Sequence, residues 1–179
     1  MKHLLALTLS CALPVAGFAA GSDDSSAPKQ TNTTKKCAAG ELWDEESKSC
    51  VKVEGANHLG DDVLYGAVRE LAYAGRVQDA QIALAAMSNQ AEDRVLTYWG
   101  FTHRKLGNLD TAMVFYDRAL TQNPDNLLAR SYMGQAHVAA GAYDLARAEL
   151  REIRIRGGRN TWAEASLRLA LDSGRGFNY

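Results

Sequence analysis

One short spacing pattern recurs three times between residues 74 and 146. Each copy has a glycine followed five residues later by an alanine, and amphipathic segments lie on both sides of it. The copies cover 74–80, 106–112 and 140–146, and their glycines lie 32 and 34 residues apart. A period of this length is typical of a repeat built from one pair of helices. Because one helical pair cannot bury its apolar flank alone, the pattern predicts an array of stacked pairs.

The best-defined copy lies between Leu96 and Pro124. Two amphipathic segments are joined there by Gly107-Asn108, and they carry large, small and aromatic residues at fixed places: Leu96, Trp99, Gly100, His103, Ala112, Tyr116, Ala119 and Pro124. Gly100 and Ala112 are small enough to let two helices cross closely. Pro124 cannot continue a helix and is expected to end the second one.

This set of residues resembles the tetratricopeptide repeat, a helix–turn–helix unit of 34 residues. The resemblance implies an all-α fold, a tetratricopeptide helix-turn-helix solenoid over 61–160 with repeats at 61–92, 93–126 and 127–160. Thr161 and Glu164 form a capping box, which predicts a C-terminal capping helix over 161–173 and a tail over 174–179. The shortened first repeat leaves an edge at which a second copy could pair, so the oligomeric state is open.

Residues 1–20 have the features of a secretory signal peptide. Lys2 gives a basic start, an apolar stretch follows, and the small residues at 17–20 suit cleavage. The apolar stretch is too short to span a bilayer. We therefore expect an exported bacterial protein that is periplasmic or secreted after cleavage. Cys11 would be removed with the peptide, and lipidation at Cys11 is the alternative.

The segments between the signal peptide and the repeats are polar. Residues 21–36 and 51–60 lack apolar periodicity and are expected to be linkers, the first of them flexible. Between them, Cys37 and Cys50 are the two cysteines that remain after cleavage. An even count in an exported chain predicts a disulfide and hence a small disulfide loop over 37–50. A closed loop of about 14 residues contributes roughly 3 kcal/mol on the chain-entropy model.

Charge and motifs exclude several classes of function. The formal net charge of −1 argues against a dedicated nucleic-acid-binding protein. Five arginines between Arg147 and Arg159 are interpreted as the solvated surface of a helix, with an anionic lipid or acidic partner as the alternative. The motifs of serine hydrolases, zinc proteases and phosphate loops do not occur. We therefore expect no enzymatic activity and no cofactor.

His103 and His137 occupy equivalent places in successive repeats. Equivalent helices of neighbouring repeats lie about 10 Å apart, which is long for two ligands of one metal ion. The resemblance explains the pair as substitutes for a half-buried tyrosine of the repeat. We therefore predict no metal site.

The resemblance also implies a ligand groove along the first helix of each repeat. The candidate peptide-binding residues are Tyr65, Arg69, Arg94, Thr97, Phe101, Arg104, Asn126, Ser131 and Gln135. The arginines form a cationic floor that suits carboxylates, and Phe101 is expected to be an apolar anchor. The expected ligand is an acidic or C-terminal peptide segment of another envelope protein.

These observations predict a non-catalytic protein–protein interaction scaffold of the bacterial cell envelope. The alternative is polysaccharide or cell-envelope binding through the loop between Cys37 and Cys50, with the repeats as scaffold. The spacing in this loop resembles a fragment of a chitin-binding peritrophin module, although that family has more cysteines than this chain.

Overall fold

The computed structural model describes residues 28–55 and 58–176. Within them, a small N-terminal module precedes an array of helices. The elements are α1 (Asn32–Lys36), β1 (Glu41–Asp44), β2 (Ser49–Lys52), a 3-10 turn (Val53–Gly55), α2 (Asp61–Tyr73), α3 (Val77–Ala86), α4 (Asp93–Lys105), α5 (Leu109–Gln122), α6 (Leu127–Ala139), α7 (Tyr143–Ile155) and α8 (Trp162–Ser173). The predicted signal peptide over 1–20, Cys11 within it, and residues 21–27 and 177–179 lie outside the described residues.

The helices from α2 to α7 pack in consecutive pairs, and α8 packs against α6 and α7. The first helices of successive pairs, α2, α4 and α6, also contact one another, and α6 contacts α8 in the same way. Besides their own partners, the second helices α3 and α5 pack on the first helix of the next pair. The first helices therefore line the inner face of the array. This arrangement confirms the predicted all-α solenoid.

The three recurring glycines lie at the bends between paired helices. Gly75, Gly107 and Gly141 have φ angles of 79°, 84° and 74°, a conformation that costs glycine little and other residues more. At the second bend, the N–H of Asn108 donates to the carbonyl of His103 at 2.9 Å, and the N–H of Gly107 donates to that of Arg104 at 3.0 Å. This pair of bonds is the Schellman motif, which satisfies carbonyls at the end of a helix.

Paired helices approach most closely at Gly100. A Cβ added to Gly100 would lie 2.6 Å from Cδ1 of Tyr116, so the Tyr116 ring occupies the space that a side chain would need. Ala112 on the same partner helix is completely buried. Gly134, the equivalent glycine of the next pair, gives the same close approach to Leu167 of α8, with 2.6 Å from the added Cβ to Cδ2. The small residues thus set the spacing of the array.

The N-terminal module is a two-stranded antiparallel hairpin closed by a disulfide. Trp43 of β1 lies opposite Cys50 of β2 in the register of the strands. The disulfide joins Cys50 to Cys37, with 2.05 Å between the sulfur atoms, and this confirms the predicted pairing. Leu42 and Val53 from this module are each 1% exposed and belong to the same hydrophobic core as α2, α3 and α4.

Two charged groups, the buried carboxylate of Glu70 and the partly exposed guanidinium of Arg76, hold the module on the first helical pair. The carboxylate of Glu70 in α2 accepts hydrogen bonds from the backbone N–H and the hydroxyl of both Thr31 and Thr34. The guanidinium of Arg76 donates to the carbonyls of Thr33, Cys37 and Ala38 at 2.7–3.1 Å. The N-terminal module and the repeats therefore form one folded unit.

This contact corrects two expectations from the sequence. The prediction of a flexible linker over 21–36 was wrong for 32–36, which form α1, and the linker over 51–60 begins with a strand and a 3-10 turn. The module also packs on α2 and α3, so it covers the edge of the first pair that had been expected to be available for a second copy. The composition of residues 32–36 gives no sign of this helix, because the helix is held by hydrogen bonds to Glu70, more than 35 positions away.

The close crossing at Gly100 generates a stability prediction. Gly100→Ala is expected to lower the free energy of unfolding by about 1–3 kcal/mol, because the new Cβ overlaps the Tyr116 ring. Gly66 in α2 is the matched control, since a Cβ there meets no atom within 4 Å. Gly66→Ala should raise the free energy by about 0.5–1 kcal/mol through helix propensity. Urea denaturation measures both changes, and equal stability of the two variants would contradict the close crossing.

Candidate functional site

A row of tyrosines runs across the inner face of the array. Tyr65, Tyr98 and Tyr132 occupy equivalent places on α2, α4 and α6. The Tyr98 ring meets Tyr65 edge to face, with centroids 5.6 Å apart and planes at 84°, and it meets Tyr132 at 6.2 Å and 82°. Edge-to-face contacts of this kind add stability beyond burial alone. The row therefore joins the first helices of the three pairs.

Phe101 lies in the centre of this aromatic cluster. Its ring is stacked on Tyr73 with centroids 5.9 Å apart and tilted against Tyr132 at 4.8 Å. The hydroxyls of Tyr73 and Tyr132 are 2.5 Å apart and share a hydrogen bond. Phe101 is 0% exposed. The expectation of a solvent-facing apolar anchor at Phe101 was wrong, because aromatic rings from three helices enclose it.

Thr97 and Asn126 form a polar lock between the second and third pairs. The Thr97 hydroxyl donates to the carbonyl of Asp93 at 2.7 Å, and the Asn126 amide donates to the Asp93 carboxylate at 2.8 Å and to Thr97 Oγ1 at 3.0 Å. The side-chain oxygen of Asn126 accepts from the N–H of Ala129 and caps α6. Thr97 is 1% exposed. The prediction that Thr97 contacts a ligand in the groove was wrong, because its hydroxyl is buried and already hydrogen-bonded to Asp93 and Asn126.

Ser131 and Gln135 on α6 are completely buried. The Ser131 hydroxyl lies 2.8 Å from that of Ser166 on α8, so the two share a hydrogen bond. Gln135 lies beside the chain that follows α8, since a Cβ on Gly176 would be 3.3 Å from its Oε1. Both residues were predicted to face an open groove. That prediction was wrong because α8 and the chain after it pack where a fourth first helix would lie.

The three predicted floor arginines have different surroundings. Arg94 forms ion pairs with Asp62, at 2.8 Å, and with Glu92, and its guanidinium lies 4.7 Å from the centroid of the Tyr65 ring. Its positive charge is therefore balanced locally. Arg69 lies apart from the other two, on the wall of a pocket beside the N-terminal module. The sequence prediction of one continuous cationic floor does not describe this arrangement.

Arg104 lies over aromatic rings of α4 and α6, and its guanidinium is close enough to the Tyr116 hydroxyl to lower the pKa of that group, against the larger effect of burial. Its guanidinium lies 5.3 Å from the centroid of the Phe101 ring and 5.7 Å from that of Tyr132. Its Nε and Nη2 atoms are enclosed, and the described residues give them no hydrogen-bond partner. Desolvation and the neighbouring charge of Arg104 lower the pKa of Lys105. The inner face between α4 and α6 therefore concentrates positive charge above an aromatic surface.

The pocket that includes Arg69 lies between the N-terminal module and α2. It has a volume of about 300 Å³, and its walls include Trp43, Glu45 and Lys29. The Lys36 ammonium lies 5.1 Å from the centroid of the Trp43 ring. This is a concave site with one large aromatic side chain and groups of both charges.

Other residues singled out in the sequence lie elsewhere on the array. His103 stacks between Trp99 and Phe115, with centroids 6.0 Å and 5.4 Å away. Three arginines of the 147–159 run pair with carboxylates: Arg147 with Asp144, Arg154 with Glu164, and Arg156 with Asp125 and Glu152.

Within residues 28–55 and 58–176, no three His, Cys, Asp or Glu side chains converge as metal ligands. In the same ranges, every helix is too short or too polar to cross a bilayer.

The sequence profile of the tetratricopeptide repeat family matches residues 103–169, from the end of α4 into α8. Residues 103–169 thus carry the tetratricopeptide repeat pattern. The first pair of the chain, α2 and α3, precedes the matched residues but has the same glycine bend and the same packing on its neighbour. No curated protein and no solved structure matches the chain. Tetratricopeptide repeats generally mediate protein–protein interactions and are typically non-catalytic.

The sequence contains a signal for the aromatic row. Tyr65, Tyr98 and Tyr132 are spaced by 33 and 34 residues, the same period as the glycines. Recurrence at the repeat period identifies them as equivalent positions on successive first helices. Tyr73 had no such signal, because its contact with Phe101 joins places that are not equivalent in the two repeats.

The buried hydroxyls generate a prediction about pH. Burial raises the pKa of Tyr116 to about 12 and also raises the pKa values of Tyr73 and Tyr132. In the unfolded chain a tyrosine ionises near pH ~10. Their contribution to stability is therefore complete below pH ~10 and is lost as pH rises towards about 12. An absorbance titration should show tyrosinate formation lagging behind that of the urea-unfolded chain, and coincident curves would contradict a buried cluster.

Proposed function

We propose that this chain is a tetratricopeptide repeat scaffold of the bacterial cell envelope that binds a segment of another protein along its inner face. The tetratricopeptide repeat pattern of residues 103–169 supports protein binding as the activity. The observation that carries the choice of surface is the Arg104 guanidinium, which lies over Phe101 and Tyr132 with two enclosed nitrogens that lack an acceptor in the described chain.

Two features support an exported location. Residues 1–20 have the basic start, apolar stretch and small-residue end of a signal peptide. The disulfide between Cys37 and Cys50 is a bond that persists in oxidising compartments such as the periplasm. We place the mature chain in the periplasm or outside the cell on these grounds.

The surroundings of Arg104 define the chemistry of the ligand. The Arg104 guanidinium suits the carbonyl or carboxylate oxygens of a ligand. Arg94 contributes less to ligand binding, because Asp62 and Glu92 already balance its charge. The ligand is therefore an extended peptide segment that supplies hydrogen-bond acceptors over α4 and α6.

Photo-crosslinking in cells tests this surface. A photoreactive residue at Lys105, next to Arg104, should give a discrete adduct with one envelope protein, found in the periplasmic or secreted fraction. The same residue at Asp117, which is exposed on α5, should not give that adduct. Arg104→Gln should reduce the yield by about ten-fold or more, since a charge-assisted hydrogen bond to the ligand is lost.

Arg118→Gln is the matched control for that substitution. Arg118 is an exposed arginine on α5 that also lies over an aromatic ring, with 5.6 Å to the centroid of Phe115. The adduct yield should be unchanged in this variant. An adduct formed from Asp117 alone, or one equally sensitive to both substitutions, would contradict binding at the inner face.

A second candidate is binding of a polysaccharide beside the disulfide loop. The observation that favours it is the 300 Å³ pocket with Trp43 on its wall. Because residues of the N-terminal module belong to the core, deleting it would expose that core, so a point variant is the better test. If this function is correct, Trp43→Ala should abolish retention on cell-wall polysaccharide, and Ser47→Ala at the exposed hairpin tip should not. Equal retention of both variants would contradict it.

A further inference from the structure

The outer face of α7 is exposed to solvent. The opposite side of this helix, which includes Ala146 and Ile153, is buried in a cluster with residues of α6 and α8. On the outer face, Arg147, Arg151 and Ile155 are exposed and follow one another at intervals of four residues. Residues at this interval are neighbours on one side of a helix, so the three side chains form a stripe along the helix, the α7 stripe.

The α7 stripe belongs to a surface with more arginines than carboxylates. Between positions 143 and 159 the chain has five arginines and three acidic residues. One of the acidic residues, Glu149, is turned towards α6 and pairs with Arg130 there. Arg151 and Arg159 are exposed, and no carboxylate of the described residues pairs with either of them. The surface therefore has a positive excess that suits an anionic partner.

The other carboxylates near the α7 stripe are paired with the remaining arginines. Asp144 pairs with Arg147, but their side chains are 99% and 59% exposed, and an exposed pair of this kind contributes little. Asp125 and Glu152 both pair with Arg156. These pairs leave the charges of Arg151 and Arg159 unbalanced.

Helix α8 adds a further positive charge at the same end of the array. The buried carboxylate of Glu164 accepts hydrogen bonds from Arg154 at 2.6 Å and from the N–H of Asn160 at 2.8 Å. These bonds lower the pKa of Glu164, and the charge of Arg168, an exposed residue of α8, adds to the effect. One carboxylate therefore lies between two arginines, Arg154 and Arg168.

An aliphatic side chain lies among these charges. Ile155, the last residue of α7, is 77% exposed, the largest exposed fraction among the large apolar side chains of the described residues. An aliphatic side chain is stabilised when it leaves water for an apolar phase. Arginine can keep its charged end among phosphates while its methylene groups lie along apolar surface. A layer of anionic headgroups with hydrocarbon beneath it satisfies both kinds of side chain at once.

We propose that the α7 stripe attaches this protein to the surface of a membrane that contains anionic phospholipids. The guanidinium groups of Arg147, Arg151 and Arg159 bind lipid phosphates, and the Ile155 side chain enters the boundary between headgroups and acyl chains. Because α7 is the second helix of its pair, attachment through it leaves the inner face, which the first helices line, uncovered. The attachment does not depend on the proposed binding of a protein segment.

Co-sedimentation with vesicles tests the attachment. The protein is purified as it accumulates in cells and mixed with vesicles of phosphatidylcholine alone or of phosphatidylcholine and phosphatidylglycerol in equal amounts. Wild type should bind the anionic vesicles about ten-fold more tightly than the neutral ones or more, and added salt should weaken this binding. Arg151→Gln should lower the affinity about five-fold, as expected for one charge at an anionic surface. Ile155→Asp should lower it about ten-fold or more.

The outer face of α5 supplies a matched control for each substitution. Val114 is 57% exposed and Arg118 is an exposed arginine, so Val114→Asp and Arg118→Gln make the same chemical changes on another second helix. Both variants should bind the anionic vesicles as wild type does. Equal binding of wild type to the two kinds of vesicle, or equal losses from the α5 and α7 variants, would overturn the proposal.

The Ile155→Asp variant separates a membrane from an acidic protein as the partner. Insertion into the lipid boundary requires the aliphatic side chain, whereas attraction between opposite charges does not. Weaker binding of Arg151→Gln together with unchanged binding of Ile155→Asp would therefore overturn membrane attachment and favour an acidic protein segment on the same arginines.

Discussion

Each helical pair has an apolar flank that only a neighbour can cover, and the array depends on this constraint. The helices are in close contact at Gly100, where the Tyr116 ring fills the space that a side chain would occupy. The last flank is covered by α8, which approaches through Gly134, and the first by the N-terminal module. Among the described residues, both terminal pairs of the solenoid are therefore covered by other elements of the chain.

The two ends are closed by different physical means. At the C-terminal end, α8 brings the apolar side chains of Leu167 and Ala170 into the core. At the N-terminal end, a buried carboxylate and a partly exposed guanidinium bind backbone groups of the hairpin module, with Glu70 accepting and Arg76 donating. Buried charges are tolerated where such bonds satisfy them. The disulfide loop is consequently part of the core rather than a separate binding domain, which weakens the case for sugar binding through that loop alone.

The inner face combines rigidity with a cation that lies over aromatic rings. Its tyrosine row is fixed by ring contacts across three helices, and Arg94 is neutralised by two carboxylates. Arg104 differs because its enclosed nitrogens find no acceptor in the described chain. A preformed surface of this kind loses little conformational entropy on binding a segment that supplies acceptors. Such a surface suits a protein that presents a binding site.

The sequence by itself determined the helical pairs, their glycine bends and the disulfide partners. Those features depend on local propensity and on a period that recurs along the chain, and both are visible in the letters. Tertiary structure alone decided which predicted groove residues are accessible. Phe101, Thr97 and Ser131 share the repeat positions of ligand-binding residues, yet rings, an asparagine amide and a capping helix from distant parts of the chain enclose them. The order of residues 32–36 was decided in the same way, by Glu70 in the first repeat, because hydrogen bonds between distant residues leave no periodic signal in a sequence.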